Sequence, residues 1–106
     1  MVIANRITIT TAPEDAKTLR ALLNELTAYA ATLKGCHKFE LYQREEARER
    51  FLIIEIWKSG KAHRKYLEDE TVKALREKIA PLIENEEKTA LKLTQCLTKQ
   101  RYWTDE

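Results

Sequence analysis

The chain has 106 residues, of which 43% are hydrophobic and 34% are charged, and its net charge at pH 7 is +2. Such values are typical of one globular domain, and the charge is too small and too evenly scattered to predict a nucleic-acid partner. No apolar run approaches the roughly 18 residues of a membrane span, and the N-terminus lacks the layout of a secretory signal. We therefore expect a cytoplasmic protein with no membrane partner.

The first predicted strand and helix lie within residues 2–35. Residues 2–10 are rich in isoleucine and threonine, which favour strands, and alternate isoleucines share one face. Thr10 or Thr11 offers a hydroxyl to cap a helix, and Pro13 with two following acids suits a first helical turn. Gly35 predicts the end of this helix. Its apolar stripe consists of Leu19, Leu22, Leu23, Leu26, Ala30 and Leu33.

Two strands follow, and the second is apolar on both faces. Residues 37–44 alternate as a strand, and the charged residues 45–49 predict the turn into a strand at 51–57. A chain this short can cover only one side of a small sheet with helices, so the second apolar face predicts a homodimer. One face carries Phe51, Ile53, Glu55 and Trp57, and the face predicted to meet the partner carries Leu52, Ile54 and Ile56.

The remaining elements complete a ferredoxin-like order. A short helix is predicted at residues 61–67, and another from Asp69 with a stripe of Val72, Leu75, Ile79 and Leu82 or Ile83, which Pro81 kinks or ends. Residues 88–98 predict the last strand, with Leu91, Leu93 and Leu97 alternating. The order predicts an α+β, split βαβ domain at residues 1–98 with a four-stranded antiparallel sheet, followed by a tail at 99–106.

Single polar residues interrupt three of the apolar stripes that face the predicted helices. They are Asn5 on the first strand, Glu55 on the third and Gln95 on the last. A buried amide without a partner costs about 1–3 kcal/mol, and a buried carboxylate costs more. The three residues therefore predict a partly polar cavity between sheet and helices. The alternatives are that they cap helix ends, bond to backbone or point into solvent.

The chain resembles the antibiotic biosynthesis monooxygenase family of dimeric α+β-barrel proteins over residues 2–98. Four segments carry the resemblance: residues 4–9 (ANRITI), 33–42 (LKGCHKFELY), 51–59 (FLIIEIWKS) and 61–67 (KAHRKYL). The resemblance implies the ferredoxin-like fold and a dimeric barrel. Its members include cofactor-independent oxygenases of phenols and quinols, haem-degrading enzymes and proteins without an established activity.

The resemblance also suggests roles for individual residues. Asn5 matches a polar pocket residue of several members, whereas Glu55 and Trp57 match a Glu-x-Trp pair that looks mainly structural. Tyr66 stands where many members have histidine. Arg76 replaces the iron-ligating histidine of the haem-degrading members, and because arginine stays protonated it is a poor metal ligand. We therefore expect no haem or metal at this position.

His63 is the candidate base, because imidazole titrates near neutral pH. A cofactor-free oxygenase would use His63 to deprotonate a phenol or quinol, while Asn5 and Tyr66 stabilise the anion. Glu55, Trp57, Arg76 and Gln95 would help to bind the substrate. Such a substrate reduces oxygen itself, so no cofactor is expected. The alternative is a dimer that binds or senses a small molecule without turnover, with His63 as a surface or core residue.

The two cysteines, Cys36 and Cys96, match no metal-binding spacing. They are predicted to be reduced structural thiols, with a disulfide or a nucleophile as the alternatives.

Overall fold

The computed structural model describes residues 1–95. Its elements are β1 (Ile3–Thr11), α1 (Ala16–Ala30), β2 (Cys36–Gln43), β3 (Arg50–Trp57), α2 (Gly60–Glu68), α3 (Glu70–Ile79) and β4 (Ile83–Leu91). Short 3-10 turns at Pro13–Asp15 and Ala80–Leu82 precede α1 and β4. The four strands form one antiparallel sheet in the order β2-β3-β1-β4, which confirms the predicted α+β, ferredoxin-like fold.

The core lies between one face of the sheet and the helices. In the two central strands, Asn5 is paired with Glu55, Ile7 with Ile53 and Ile9 with Phe51, so these side chains share the helix-facing side. The helices bury apolar residues spaced three or four apart, as an amphipathic helix requires. These are Ala16, Leu19, Leu23, Leu26 and Ala30 in α1, and Val72, Leu75 and Ile79 in α3.

Close contacts fix α2 over the end of the sheet. The Ser59 side chain accepts a hydrogen bond from the amide of Ala62 at 3.1 Å and so caps α2. Gly35 has a φ of +85°, and a Cβ added there would lie 2.6 Å from the Cβ of Ala62. Only glycine therefore lets the chain before β2 pass this close to α2.

Asp69 ties the junction of α2 and α3 to α1. One carboxylate oxygen accepts hydrogen bonds from the amides of Thr71 at 2.9 Å and Val72 at 3.1 Å, which caps α3. The other carboxylate oxygen accepts a hydrogen bond from the Tyr29 hydroxyl at 2.9 Å. These hydrogen bonds lower the pKa of Asp69 and favour its charged form. One side chain therefore links the junction of α2 and α3 to α1.

The predicted last strand is wrong in its boundaries. It was expected at residues 88–98, whereas β4 begins at Ile83 and ends at Leu91. Eight of its nine residues are exposed because it is an edge strand, so it carries no apolar stripe that could reveal it in the sequence. Leu93 lies beyond the strand, and Leu97 and the predicted tail lie outside the described residues.

The start and end of the first helix also differ from the prediction. The cap predicted from Thr10 or Thr11 is wrong, because Thr11 donates its hydroxyl proton to the carbonyl of Leu82 and no side chain caps α1. This bond ties the end of β1 to the turn before β4. The helix ends at Ala30, before Gly35, which lies in the turn to β2. Leu33 still packs against the core.

At the centre of the sheet face turned away from the helices, the apolar side chains are those of β3, whereas the neighbouring central strand β1 carries Arg6 and Thr8 beside them. Leu52 and Ile54 are half-buried, while Ile56 is only 6% exposed within one chain. The expectation that Ile56 needs a partner for burial is therefore wrong. Tyr42 and Leu91 lie on the same face, since they are paired with Leu52 and Ala4, and are 51% and 44% exposed. In residues 1–95, no helix is long and apolar enough to cross a membrane.

Candidate active site

A buried carboxylate lies at the centre of the helix-facing side of the sheet. Glu55 is only 2% exposed, and each of its oxygens accepts one hydrogen bond. Asn5 Nδ2 donates to Oε2 at 3.0 Å, and Trp57 Nε1 donates to Oε1 at 2.9 Å. Asn5 reaches it from the neighbouring strand because the two residues are directly paired in register. Two of the polar interruptions in the apolar stripes therefore satisfy each other.

His63 lies next to this carboxylate on the first turns of α2. Its Nε2 atom is 3.6 Å from Glu55 Oε2, which is close enough for an ion pair if the imidazole is protonated but too long for a hydrogen bond. This nitrogen is buried and has no hydrogen-bond partner among the described residues. A buried imidazole nitrogen with no partner is available to a ligand.

Burial is the main electrostatic influence on His63, and it lowers the pKa of the imidazole below its ordinary value of 6.5. The positive charges of Lys88 and Arg76 act in the same direction, whereas the carboxylate of Glu55 opposes them. The imidazole is therefore mainly neutral at pH 7. A neutral imidazole beside a fixed carboxylate can accept a proton, because the carboxylate stabilises the cation that forms.

Aromatic rings form one wall of the site. The rings of Trp57 and Tyr66 have centroids 4.7 Å apart, and the imidazole of His63 stacks over Tyr66 with an interplanar angle of 20°. Phe39 contacts both larger rings, with centroids 5.8 Å from Tyr66 and 6.4 Å from Trp57. Trp57 is fully buried behind this wall, so Phe39, Tyr66 and His63 are the rings that face the space between sheet and helices and suit a flat aromatic ligand.

Tyr66 adds a hydroxyl to this wall. Burial and the Glu55 carboxylate raise the pKa of Tyr66, while the neighbouring Arg76 side chain opposes the rise. The phenol therefore stays protonated at neutral pH and can donate a hydrogen bond. A buried phenol donor near a cationic guanidinium is suited to stabilise an oxyanion.

A pocket of about 150 Å³ opens beside these residues, between the sheet and the helices. Its walls are mainly aliphatic, with side chains from β1, β3, α1 and α3. Glu55, His63 and Tyr66 reach it from the inside, whereas the exposed residues Arg76, Glu86 and Lys88 also line it. The pocket is thus polar at one inner wall, apolar around its middle and charged at its mouth.

The structure brings six of the seven predicted site residues together. Glu55, His63, Tyr66 and Arg76 line the pocket. Asn5 and Trp57 do not line it, but both bind the Glu55 carboxylate. Gln95 does not join them, because it lies four residues after the end of β4 and is exposed. Its expected place in the last strand depended on the wrong strand boundaries.

Sequence reasoning missed Glu86 and Lys88 as pocket residues. They line it because alternate residues of β4 face the helices. The only available signal was the run of polar and charged residues from 84 to 89 (ENEEKT), which is typical of a solvated surface.

Cys36 carries a free thiol close to the same site, as expected for a reduced structural cysteine. Burial and the nearby Glu55 charge raise its pKa to about 11, so the thiol is protonated and a weak nucleophile. Cys96 lies outside the described residues. Within residues 1–95, no three His, Cys, Asp or Glu side chains are grouped as a metal would require.

Comparisons with known proteins agree with the fold and the family resemblance. A sequence profile of the family described as antibiotic biosynthesis monooxygenase matches residues 2–78. A comparison with curated proteins finds no match.

Solved structures match nearly the whole chain. Rv0793 from Mycobacterium tuberculosis has a TM-score of 0.83 at 18% identity and covers 92% of this chain and 100% of its own. PA3566 from Pseudomonas aeruginosa has a TM-score of 0.82 at 24% identity, over 89% and 95% of the two chains. An antibiotic biosynthesis monooxygenase has a TM-score of 0.81 at 17% identity, over 90% and 100%. At these identities, the structural matches show the fold alone.

The hydrogen bond from Asn5 to Glu55 predicts a cost for the substitution Asn5→Leu. Loss of the amide leaves a buried carboxylate oxygen without its donor, so the free energy of unfolding should fall by about 1–3 kcal/mol. Denaturant unfolding monitored by circular dichroism measures this change. Asn24→Leu, at an exposed position on α1, is the matched control and should change stability by less than about 0.5 kcal/mol. An Asn5→Leu variant as stable as this control would contradict the role of the amide.

Proposed function

Because the chain belongs to the antibiotic biosynthesis monooxygenase family, we propose that it is a monooxygenase that oxidises a phenol or quinol in the pocket beside His63. One observation carries this proposal: a buried imidazole nitrogen without a hydrogen-bond partner among the described residues faces a carboxylate in a largely aliphatic pocket that Phe39 and Tyr66 also line. That arrangement provides a base for a phenolic proton and a flat apolar surface for a ring. We expect the electrons for oxygen reduction to come from the substrate, without a cofactor.

The proposed reaction balances with oxygen as the only co-substrate. A phenol with a hydrogen on the reacting ring carbon loses that hydrogen and its hydroxyl proton. One atom of O₂ forms the new carbonyl on that carbon, and the other leaves as water. The substrate gives up four electrons and O₂ accepts four, so the product is a quinone. A quinol reacts in the same way to give a hydroxyquinone.

Each residue around the pocket has a proposed part in this reaction. His63 accepts the phenolic proton, and the Glu55 carboxylate stabilises the imidazolium that results. The Tyr66 hydroxyl, with Arg76 beside it, donates to the oxygen anion that forms on the substrate. Asn5 and Trp57 act indirectly, because their donors hold the carboxylate in place.

A second candidate function is binding of a small molecule without turnover. One observation favours it: the indole N–H of Trp57 and one N–H of the Asn5 amide are donated to Glu55, and neither residue lines the pocket, so neither is placed to bind a substrate anion. In this case His63 and Tyr66 would only form hydrogen bonds with the bound molecule. Saturable binding of quinols without oxygen consumption is the outcome that distinguishes this candidate.

We also propose that the protein is a homodimer through the sheet face of Leu52 and Ile54. Both are only half-buried in one chain, and Tyr42 and Leu91 extend the apolar face on either side. The helices occupy the opposite side of the sheet. A second copy, related by a twofold axis, can cover this face with the same residues.

The substitution His63→Gln tests the proposed base. It keeps a polar side chain in the pocket but removes the proton acceptor, so kcat for quinol oxidation should fall by about 100-fold or more. In the original protein, kcat/KM should rise with pH and level off with a midpoint below about 6.5, since the base must be neutral. Oxygen consumption with a panel of hydroquinones and phenols measures both effects.

Two comparisons make this test specific. The control His37→Gln replaces the other histidine of the chain, which does not line the pocket, and should retain both activity and the acid limb of the profile. The acid limb should disappear in His63→Gln. Full activity of His63→Gln would rule out the proposed base, and an absence of oxygen consumption with every substrate would rule out the oxygenase.

The substitution Ile54→Lys tests the proposed dimer. A charge in the middle of a buried apolar face would cost several kcal/mol of association free energy, so the variant should be a monomer where the original protein is a dimer. Sedimentation velocity at falling protein concentration measures the mass of each. The control Asn24→Lys adds the same charge on the exposed side of α1 and should remain dimeric. A folded original protein that is monomeric at all concentrations would refute the dimer.

A further inference from the structure

We propose that the pocket selects a single-ring phenol or quinol with an anionic substituent, whose ring lies beside Tyr66 and His63 and whose anion is held at the mouth by Arg76 and Lys88. This inference rests on the proposed function for its chemistry. The preference for an anion is a property of binding, however, and can be measured whether or not turnover occurs.

The size of the pocket limits the ring system. Its volume is about 150 Å³, and an apolar cavity of about this volume holds one benzene molecule. A fused polycyclic phenol is too large to be enclosed by it. The enclosed part of the substrate is therefore one six-membered ring, and any further group must extend toward the mouth.

The charged residues at the mouth of the pocket determine the charge of the substituent that extends toward them. Arg76 on α3 and Lys88 on β4 are exposed, come from different elements and line the same pocket. Neither forms an ion pair with a carboxylate among residues 1–95, including Glu86, which lines the mouth with them. Two cations and one anion leave the mouth with one excess positive charge, which one substrate anion would neutralise.

The spacing between the mouth and the inner wall fits a substituted ring. Lys88 is paired with Ile7, and the next helix-facing residues along these strands, Ala90 and Asn5, lie in the same row as Glu55. Adjacent rows on one face of a strand are about 7 Å apart, and Lys88 and Glu55 also lie on strands that are separated by β1, about 10 Å apart. Their backbones are therefore about 12 Å apart. A six-membered ring with an acidic side chain, together with the extended Lys88 side chain, bridges this distance when the phenolic oxygen lies near His63.

The chemistry of the walls excludes the reverse orientation. A phenol enters neutral, and the imidazolium that its proton forms on His63 balances the charge left at the inner wall. A carboxylate would instead enter charged and would lie next to the buried carboxylate of Glu55, whose neighbour His63 is neutral. Like charges at such a distance in a buried site repel strongly. The acidic group is therefore directed outward and the phenolic oxygen inward.

Matched ligands test this selectivity directly. We would titrate the protein with 2,5-dihydroxyphenylacetate and with its methyl ester, which share the quinol ring and differ in the charge of the side chain. Quenching of tryptophan fluorescence or calorimetry under anaerobic conditions gives the dissociation constants without turnover. The acid should bind about tenfold more tightly than the ester, as expected for a charge-assisted contact. Acid and ester of equal affinity, or a tighter ester, would overturn the proposal.

Variants assign the preference to the two cations. In Arg76→Gln/Lys88→Gln the acid should lose about tenfold more affinity than the ester does, so the preference disappears. The control Lys78→Gln/Lys92→Gln removes the same net charge at exposed positions that do not line the pocket and should keep the preference. A preference that survives in Arg76→Gln/Lys88→Gln would overturn the role of these residues.

Turnover separates this inference from the proposed function. If the acid binds preferentially but no quinol consumes oxygen, the selectivity stands and the oxygenase fails. If both quinols are oxidised with equal kcat/KM and bind equally, the oxygenase stands and the selectivity fails. A two-ring naphthol carboxylate should bind at least tenfold more weakly than the single-ring acid, and tighter binding would overturn the size limit.

Discussion

The site depends on one buried carboxylate, that of Glu55, which lies within an apolar core and, among residues 1–95, forms no ion pair with an arginine or lysine. Two neutral donors, from Asn5 and Trp57, bind its two oxygens. A buried charge is tolerated only when its hydrogen bonds are made, so the register that pairs Asn5 with Glu55 is a condition of folding as well as of the site. The negative charge of Glu55 influences the pKa of the surrounding groups His63, Tyr66 and Cys36.

This carboxylate divides the pocket into two electrostatic regions. On the inside, it faces an imidazole whose pKa burial lowers and a phenol whose pKa burial raises, so both neighbours are neutral at pH 7. On the outside, Arg76 and Lys88 meet water. A site with a carboxylate at its inner wall and an excess of positive charge at its mouth can orient a ligand by charge alone. The helices contribute to this arrangement because Gly35 and Asp69 fix α2 and α3 over the sheet.

The sequence predicts the parts of this structure that are set by burial. The alternation in 51–57 places Glu55 and Trp57 on the helix-facing side, and the stripe of α3 is correct at Val72, Leu75 and Ile79. The bounds of β4 could not be predicted from the sequence, because an exposed edge strand needs no apolar pattern. The wrong bounds placed Gln95 inside the strand and gave no indication that Lys88 lines the pocket. Nor could the sequence predict the pairing of Asn5 with Glu55, since strand register depends on contacts distant in sequence.

The central claim is that the Glu55 charge and burial act on His63 in opposite senses, with burial prevailing. Titration of the two histidine side chains by NMR, with His37 as the internal reference, tests this most directly. The account predicts a pKa for His63 below 6.5 in the original protein and a still lower pKa in Glu55→Gln, because the carboxylate favours the imidazolium. A pKa at or above 6.5, or a pKa that rises when the carboxylate is removed, would contradict it.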